Sequence, residues 1–523
     1  MLGGLFVLVV GGFVLWIQIG LIGALGALAR GGLGLQANLT TAADGVQNGD
    51  YAGARAAYQQ AAASTDSLDA STESPQVRLL GSIPGLAVAV ANWHHVVDAA
   101  GDLAEGTGEL LSLYGDLSGK AGGQKIFHDG AIDLARLKAL PQRVETTGAL
   151  LTRAEDSLNA VTTGTPFSAP LDQARTKALE QLRPVQSALG SLEGIAPALP
   201  DALGANGVRR YLIAIGNQAE MRASGGAPLT LILVEFNQGR ISIPIKGPTS
   251  TQLFPPVNAP VIWFGPQANP FFPGNPRNAP FVVSDTHPNL LFSAREMAGA
   301  WKGGGYPAVD GVITLDLTAI AAALDATGPI DSATYGQVTG EKLGQILLID
   351  AYAQFGQTGA EERQQANQDL LNTLLDRLLS GSDLLSAAQA IASTAPGRHV
   401  QFWMRSPELE TLAMSSGSAG VVSDPADAGD WSAMYTQNGN QSKVDVFQQR
   451  NVLVTVQLQE DGSARVTQQL TLTNATPPDR PAEGTFGRVG YETTWLKAAY
   501  LMYVPDEALD FQASYPTGFA VRP

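Results

Sequence analysis

Four charged side chains, far apart along 523 residues, are of the types that handle a phosphate. Glu220 and Arg222 stand two positions apart, behind Asn217 and Gln218 and ahead of Gly225 and Gly226. Asp285 falls in Ser284-Asp285-Thr286-His287, and Arg363 follows Glu361 and Glu362. A guanidinium fork meets phosphate oxygens in pairs, and carboxylates hold Mg²⁺, so this set suits positioning and neutralising a diphosphate with little covalent help from the protein. Other chemistries lack their residues. The chain has no cysteine and five scattered histidines, with no Walker loop, no G-x-G-x-x-G after a strand, no H-E-x-x-H and no G-x-S-x-G elbow.

Each candidate has a plainer reading beside the chemical one. Arg363 answers either an anionic ligand or the neighbouring Glu361 and Glu362; the helix dipole does not explain a cation in a first turn. Asp316 precedes an apolar run and reads first as a helix N-cap. Asp285, at the end of Phe281-Val282-Val283, has no such structural role in view. His94 and His95 are adjacent, so on a helix they point apart and do not make a metal pair.

The elements that must position these groups follow from periodicity. Tyr211 to Ile215, Leu229 to Phe236 and Ile241 to Ile245 read as strands, with Asn217 to Arg222 as a polar loop between the first two and Asn237-Gln238-Gly239 as a hairpin turn. Phe281 to Val283 and Val309 to Asp316 read as further strands, separated by a helix from Leu290 to Trp301, and residues 340–356 and 360–379 as helices. Ligands gather outside the carboxyl ends of strands in such α/β layers, where Asp285 and Asp316 fall. Residues 38–199 are alanine-rich at helical spacing, as in Ala54, Ala57, Tyr58 and Ala61. Residues 255–280, rich in proline and carrying Trp263, Phe264, Phe271 and Phe272, read as a long loop, either a cover for a lipid tail or packing on the core. From Lys443 the period becomes strand-like, with a hairpin turning at Asp461-Gly462.

The expected fold class is therefore α+β and multi-domain. It has a transmembrane anchor over 1–30, a helical bundle or coiled-coil stalk over 31–200, a central α/β domain over 201–430 and a β-rich, sandwich-like domain over 431–523. Residues 1–29 carry no charge and exceed the roughly 20 apolar residues that cross a bilayer. A cleaved signal peptide is the rival, but its apolar core is shorter and opens on basic residues, so a retained anchor is preferred. A net charge of −16 argues against nucleic acid as a partner.

The run Tyr211-Leu212, then Asn217-Gln218-x-Glu220-x-Arg222-x-x-Gly225-Gly226, then a strand ending in Gly239-Arg240-Ile241, resembles DUF4012, an actinobacterial and Gram-positive family of uncharacterised function. Val309 to Asp316, Ala326-Thr327-Gly328-Pro329-Ile330, the helix with Glu361 to Arg363, and Asn440 to Arg450 fit the same resemblance. The order of features is also distantly similar to the LytR-CpsA-Psr phosphotransferases, which move glycopolymers from a polyprenyl-pyrophosphate carrier to the cell wall. That similarity implies Arg222 and Arg363 as catalytic residues, Asn217, Glu220, Arg222, Asp285 and Arg363 as ligand contacts, and Glu220 and Asp285 as holders of a metal, for which Mg²⁺ is the natural candidate. The sequence departs from that pattern at Ala223 to Gly226, which lacks an aspartate, and at Ile243-Pro244-Ile245-Lys246, where Pro-Arg-Asp is usual. The resemblances imply a single-pass membrane protein with its body outside the cytoplasm, binding a polyprenyl-phosphate glycolipid and, if an enzyme, transferring its glycopolymer. The reading of another class is a non-catalytic envelope scaffold that meets protein partners through its stalk and β-domain. A secreted solute-binding protein is a third, without a two-lobe repeat to support it.

Overall fold

The computed structural model describes most of residues 38–249, 281–422, 432–478 and 491–514. The expected anchor over 1–30 and the aromatic loop over 255–280 lie outside the described residues, among which no helix is long and apolar enough to cross a membrane.

The chain is a mixed α+β protein. Its N-terminal part is helical: α1 (Tyr51–Thr72), α2 (Pro75–Gly81) and α3 (Ala87–Ser118), then a short hairpin of β1 (Phe127–His128) and β2 (Ala131–Ile132), then α4 (Leu134–Ala160), α5 (Ala169–Ile195) and α6 (Leu199–Ala202). Leucines at helical spacing, among them Leu103, Leu110, Leu151, Leu158, Leu182 and Leu189, interlock into one core with the small alanines between them. Asp133 starts α4 by accepting from the Ala135 amide at 3.0 Å. His94 Nδ1 shares a hydrogen bond with the Val90 carbonyl, 2.8 Å away.

Three long strands follow, β3 (Arg209–Arg222), β4 (Gly225–Asn237) and β5 (Arg240–Pro248). The β4–β5 turn also receives the bundle: Ile132 N–H donates to Gly239 O at 2.9 Å, and a Cβ on Gly239, whose φ is +79°, would lie 2.2 Å from the Ile132 oxygen. After α7 (Leu290–Gly303) and β6 (Gly311–Asp316) the chain runs through α8 (Leu317–Thr327), a small hairpin of β7 (Ile330–Ser332) and β8 (Gly336–Val338), and α9 (Gly340–Gln345). A π turn over Ile346–Asp350 leads into α10 (Ala351–Phe355), then α11 (Ala360–Ser380), α12 (Leu384–Ser393), β9 (Val400–Met404) and α13 (Pro407–Ser415). The seven-stranded sheet has the order β1-β2-β5-β4-β3-β6-β9. Only β3 and β6 pair in parallel; every other pairing in that sheet is antiparallel. Leu212, Ala214, Leu231 and Leu233 face α7 around the buried Trp301, while Ile215 on the other face meets Leu317, Ile320, Leu324, Leu370 and Leu374 of α8 and α11.

Two local expectations change. Asn217 to Arg222 is not a loop: β3 runs through it to a tight Ala223-Ser224 turn. Phe281 to Val283 is not a strand but one 3₁₀ turn, held by Ser284 Oγ donating to Phe281 O at 2.6 Å. Helix capping by Asp316 is as expected, its Oδ1 accepting from Thr318 N at 2.9 Å and Ala319 N at 3.2 Å.

At the C-terminal end β10 (Ala433–Asn438) pairs with β13 (Ala498–Tyr503), and β11 (Gln448–Leu458) with β12 (Ala464–Asn474) through the expected Asp461-Gly462 turn. Instead of a packed sandwich, the described residues form two separate two-stranded sheets. Cross-strand register gathers Val452, Val454, Val456, Leu458, Val466 and Leu472 on one face of the β11–β12 ribbon, all 37–82% exposed. The alternation that suggested a sandwich is real, but among the described residues no second sheet covers it. β10 and the turn over Asp445–Phe447 instead pack on β3, so side chains from beyond residue 431 enter the central domain.

Candidate functional site

A bulge gathers the charges. β3 and β4 pair in step from Arg209 to Ile215, slip at Gly216, and then throw out Gln218, Ala219 and Glu220 before Met221 and Arg222 meet Gly226 and Gly225. Asn217 Oδ1 accepts the Ala219 amide at 2.8 Å, which fixes the start of the bulge. A Cβ on Gly226 would sit 2.4 Å from the Asn217 carbonyl carbon, so the close approach requires glycine. The bulge aims Gln218 outward to Asp316 Oδ2 at 2.8 Å, and Glu220 inward.

Inside, Arg222 Nη2 donates to Glu220 Oε1 at 2.5 Å, and Arg222 Nε lies 3.7 Å from Asp285 Oδ1. The other Glu220 oxygen pairs with Lys443 Nζ. Asp445 stands beside them, its Oδ2 accepting from Met221 N at 2.8 Å and Asn438 Nδ2 at 2.6 Å. All five charged groups are buried. Burial pushes the Asp285 carboxyl up to about 7 against the pull of Arg222, and raises Asp445 as well. It pushes the Lys443 ammonium down to about 7, with Asp445 opposing. These residues form a chain of buried pairs, Asp285 to Arg222 to Glu220 to Lys443.

Mg²⁺ does not fit the pair expected to hold it. Both Glu220 oxygens already face cations, and Asp285 faces the same guanidinium, so a dication would enter beside Arg222 and Lys443. Among the described residues no group of three or more His, Asp or Glu is gathered as a metal ion requires.

Lys443 is the link to an opening. Between the sheet and helices α8, α9 and α11 lies a cavity of about 250 Å³, near the small end of ligand pockets, which run from about 300 Å³. Its walls include the aliphatic Ile215, Leu229, Ile320, Leu324, Leu347 and Leu371, and also the polar Thr230, Thr249, Gln364, Asn367 and Gln368. Asn217, Tyr352, Arg363, Lys443 and Tyr491 form its polar end. Tyr352 lies two residues past the end of the π turn, a distortion common at functional sites. Arg363 is 5% exposed, and its guanidinium packs against two rings that touch edge to face, 4.4 Å from Tyr352 and 4.7 Å from Tyr491. It donates to Gly356 O at 3.3 Å. Among the described residues no carboxylate pairs with it, and Glu361 and Glu362 point to solvent. Asn217 Nδ2 donates to Tyr352 Oη at 2.7 Å, tying the bulge to this end of the cavity.

The expected site thus divides. Glu220, Arg222 and Asp285 come together but neutralise one another away from the cavity, whereas Asn217 and Arg363 face it. Lys443, Asp445, Tyr352 and Tyr491 were not singled out by sequence reasoning. A signal for two of them existed, since Lys443 and Asp445 lie in the Asn440 to Arg450 motif.

Fold and site together define a mixed α+β protein with a cation-headed, aliphatic-walled cavity. Residues 206–352 match the family model described as Protein of unknown function (DUF4012). Arg363, Lys443 and Tyr491 lie beyond the matched residues. No curated protein matches the chain.

Behind Asp285, Glu296 on α7 is buried, its Oε2 without a partner, and burial together with Asp285 pushes its carboxyl up to about 8. Folded chains therefore hold protons on Glu296 and Asp285 that unfolded chains release. That stability is complete below the unfolded values near 4 and is lost as pH rises towards 8. His287, pushed down to about 4 by burial, acts the other way up to its ordinary value of 6.5, and Lys443 acts the other way above 7. Glu296→Gln is expected to be more stable than the parent at pH 8 by about 1–3 kcal/mol, with the gap closing near pH 4.5. Urea unfolding at both pH values checks this; a gap that does not change with pH would mean Glu296 is not the proton holder.

Proposed function

We propose that this chain is an envelope protein, tethered to the membrane through residues 1–29 with its body outside the cytoplasm, that binds a polyprenyl-phosphate-linked glycan. The tail occupies the aliphatic cavity and the anionic head meets Arg363, Asn217 and Lys443 at its polar end. One observation carries this reading: a buried arginine without a carboxylate partner among the described residues stands at the head of a cavity with aliphatic walls on one side. A guanidinium taken out of water without a counter-ion costs several kcal/mol, a cost that an anionic ligand offsets. Transfer of the glycan, if it occurs, takes place at this head group and not at Arg222. Native mass spectrometry of gently extracted protein tests the reading. The expected result is a co-purified lipid mass that disappears in Leu371→Trp, which fills the cavity. A wild-type chain that carries no lipid and takes up none when offered would end it.

A non-catalytic scaffold is the second reading, and the buried chain from Asp285 to Lys443 favours it. That network joins the central sheet to the segment after residue 431, which is an assembly role and needs no ligand.

A further inference from the structure

Resting on the amphiphile reading above, the charge count at the cavity fixes the class of head group. Arg363 and Lys443 are the only charged residues on the described lining. Lys443 Nζ already faces Glu220, and wherever their shared proton sits that pair carries no net charge. Arg222 behind it lies near two carboxyls, Asp285 and Asp445, so one of them still answers its charge when the other is protonated and no positive charge is left over there. Among the described residues on this lining, Arg363 alone contributes an unmatched unit charge.

The guanidinium is also restricted in direction. Tyr352 and Tyr491, whose ring centres stand 5.6 Å apart at 67° to each other, close adjoining sides of it, and the Gly356 carbonyl takes one N–H, so the open part of the fork suits an acceptor with two oxygens on one edge. A carboxylate or a phosphodiester presents such an edge and one negative charge. A diphosphate brings at least one further charge to the same end of the cavity, where no second free cation among the described residues compensates it.

We infer that the cavity selects a long-chain amphiphile with a single anionic head, a carboxylate or a phosphodiester, over a diphosphate. For a polyprenyl-linked glycan this means a sugar held through one phosphate. The geometry assigns selection to Arg363 and to its two ring neighbours, Tyr352 and Tyr491.

A series with one tail and four heads tests this by calorimetry on the full chain: farnesoic acid, farnesyl methyl phosphate, farnesyl diphosphate and farnesol. The two monoanions are expected to bind at least tenfold tighter than both the diphosphate and the alcohol. Arg363→Leu is expected to bring the monoanions down to the level of farnesol while farnesol itself is unchanged. The tighter of the two monoanions identifies whether a lipid acid or a phosphodiester lipid is the source. A diphosphate that binds tightest would overturn the charge count while leaving the amphiphile reading intact. No binding by any of the four would overturn that reading itself.

Discussion

Arg222→Ala is expected to lower the unfolding free energy by about 3–5 kcal/mol, the cost of breaking a buried pair by removing one partner. The guanidinium holds Glu220 at 2.5 Å and faces Asp285 at 3.7 Å, and the side chains of all three are at most 6% exposed. Without it, one proton or one water must answer two buried carboxylates. Arg222→Lys does not restore the loss, because an ammonium cannot reach Glu220, Asp285 and the Val282 carbonyl from one planar group. Arg222→Met combined with Asp285→Asn is expected to recover a large part of it, since Glu220 keeps Lys443 as its partner and no carboxylate is left facing the missing guanidinium. Denaturant unfolding of the single and double variants checks this. A loss under 1 kcal/mol for Arg222→Ala, with ligand binding abolished, would return Arg222 to the ligand-contact role that the motif comparison assigns it.

Arg363→Leu is expected to behave in the opposite way. Without a carboxylate partner among the described residues, the buried guanidinium contributes little to stability, and leucine packs an apolar group against Tyr352 and Tyr491, so the unfolding midpoint holds or rises. Affinity for an anionic amphiphile is expected to fall at least about tenfold, equivalent to about 1.4 kcal/mol. Two arginines of equal burial then separate cleanly, one by unfolding and the other by binding. An Arg363→Leu chain that unfolds easily and still binds would reverse the assignment.

That separation accounts for what was legible beforehand. Composition and motif spacing pick out Arg222 and Arg363 together, because both follow acidic residues and both suit phosphate. Spacing along a chain does not say which carboxylates a guanidinium meets in space. Glu220 is near Arg222 in sequence and on it in the fold, whereas Glu361 and Glu362 are nearer still to Arg363 and turn away, since the helix directs consecutive side chains to different sides.

The polar run from Asn217 to Arg222 misled for a related reason. Polarity suggests a loop because buried backbone and side-chain groups need partners. Here the partners come from Asp445, Lys443 and Gln437, more than 200 positions away, so β3 continues through a sequence that local rules assign to a turn.

What the sequence determined by itself is the order of the elements: the helical N-terminal part, the β3–β4–β5 meander, the Asp316 cap, the α11 helix and the Asp461-Gly462 hairpin. Each rests on periodicity or on turn and cap chemistry acting within a few residues. The tertiary structure alone decided which charges cancel and which stays open, because that depends on a bulge in β3 and on a segment after residue 431 folding back across the sheet. Burial then fixes the outcome: a charge met by a neighbour becomes structure, and the one left unmatched beside an apolar cavity becomes a place for a ligand.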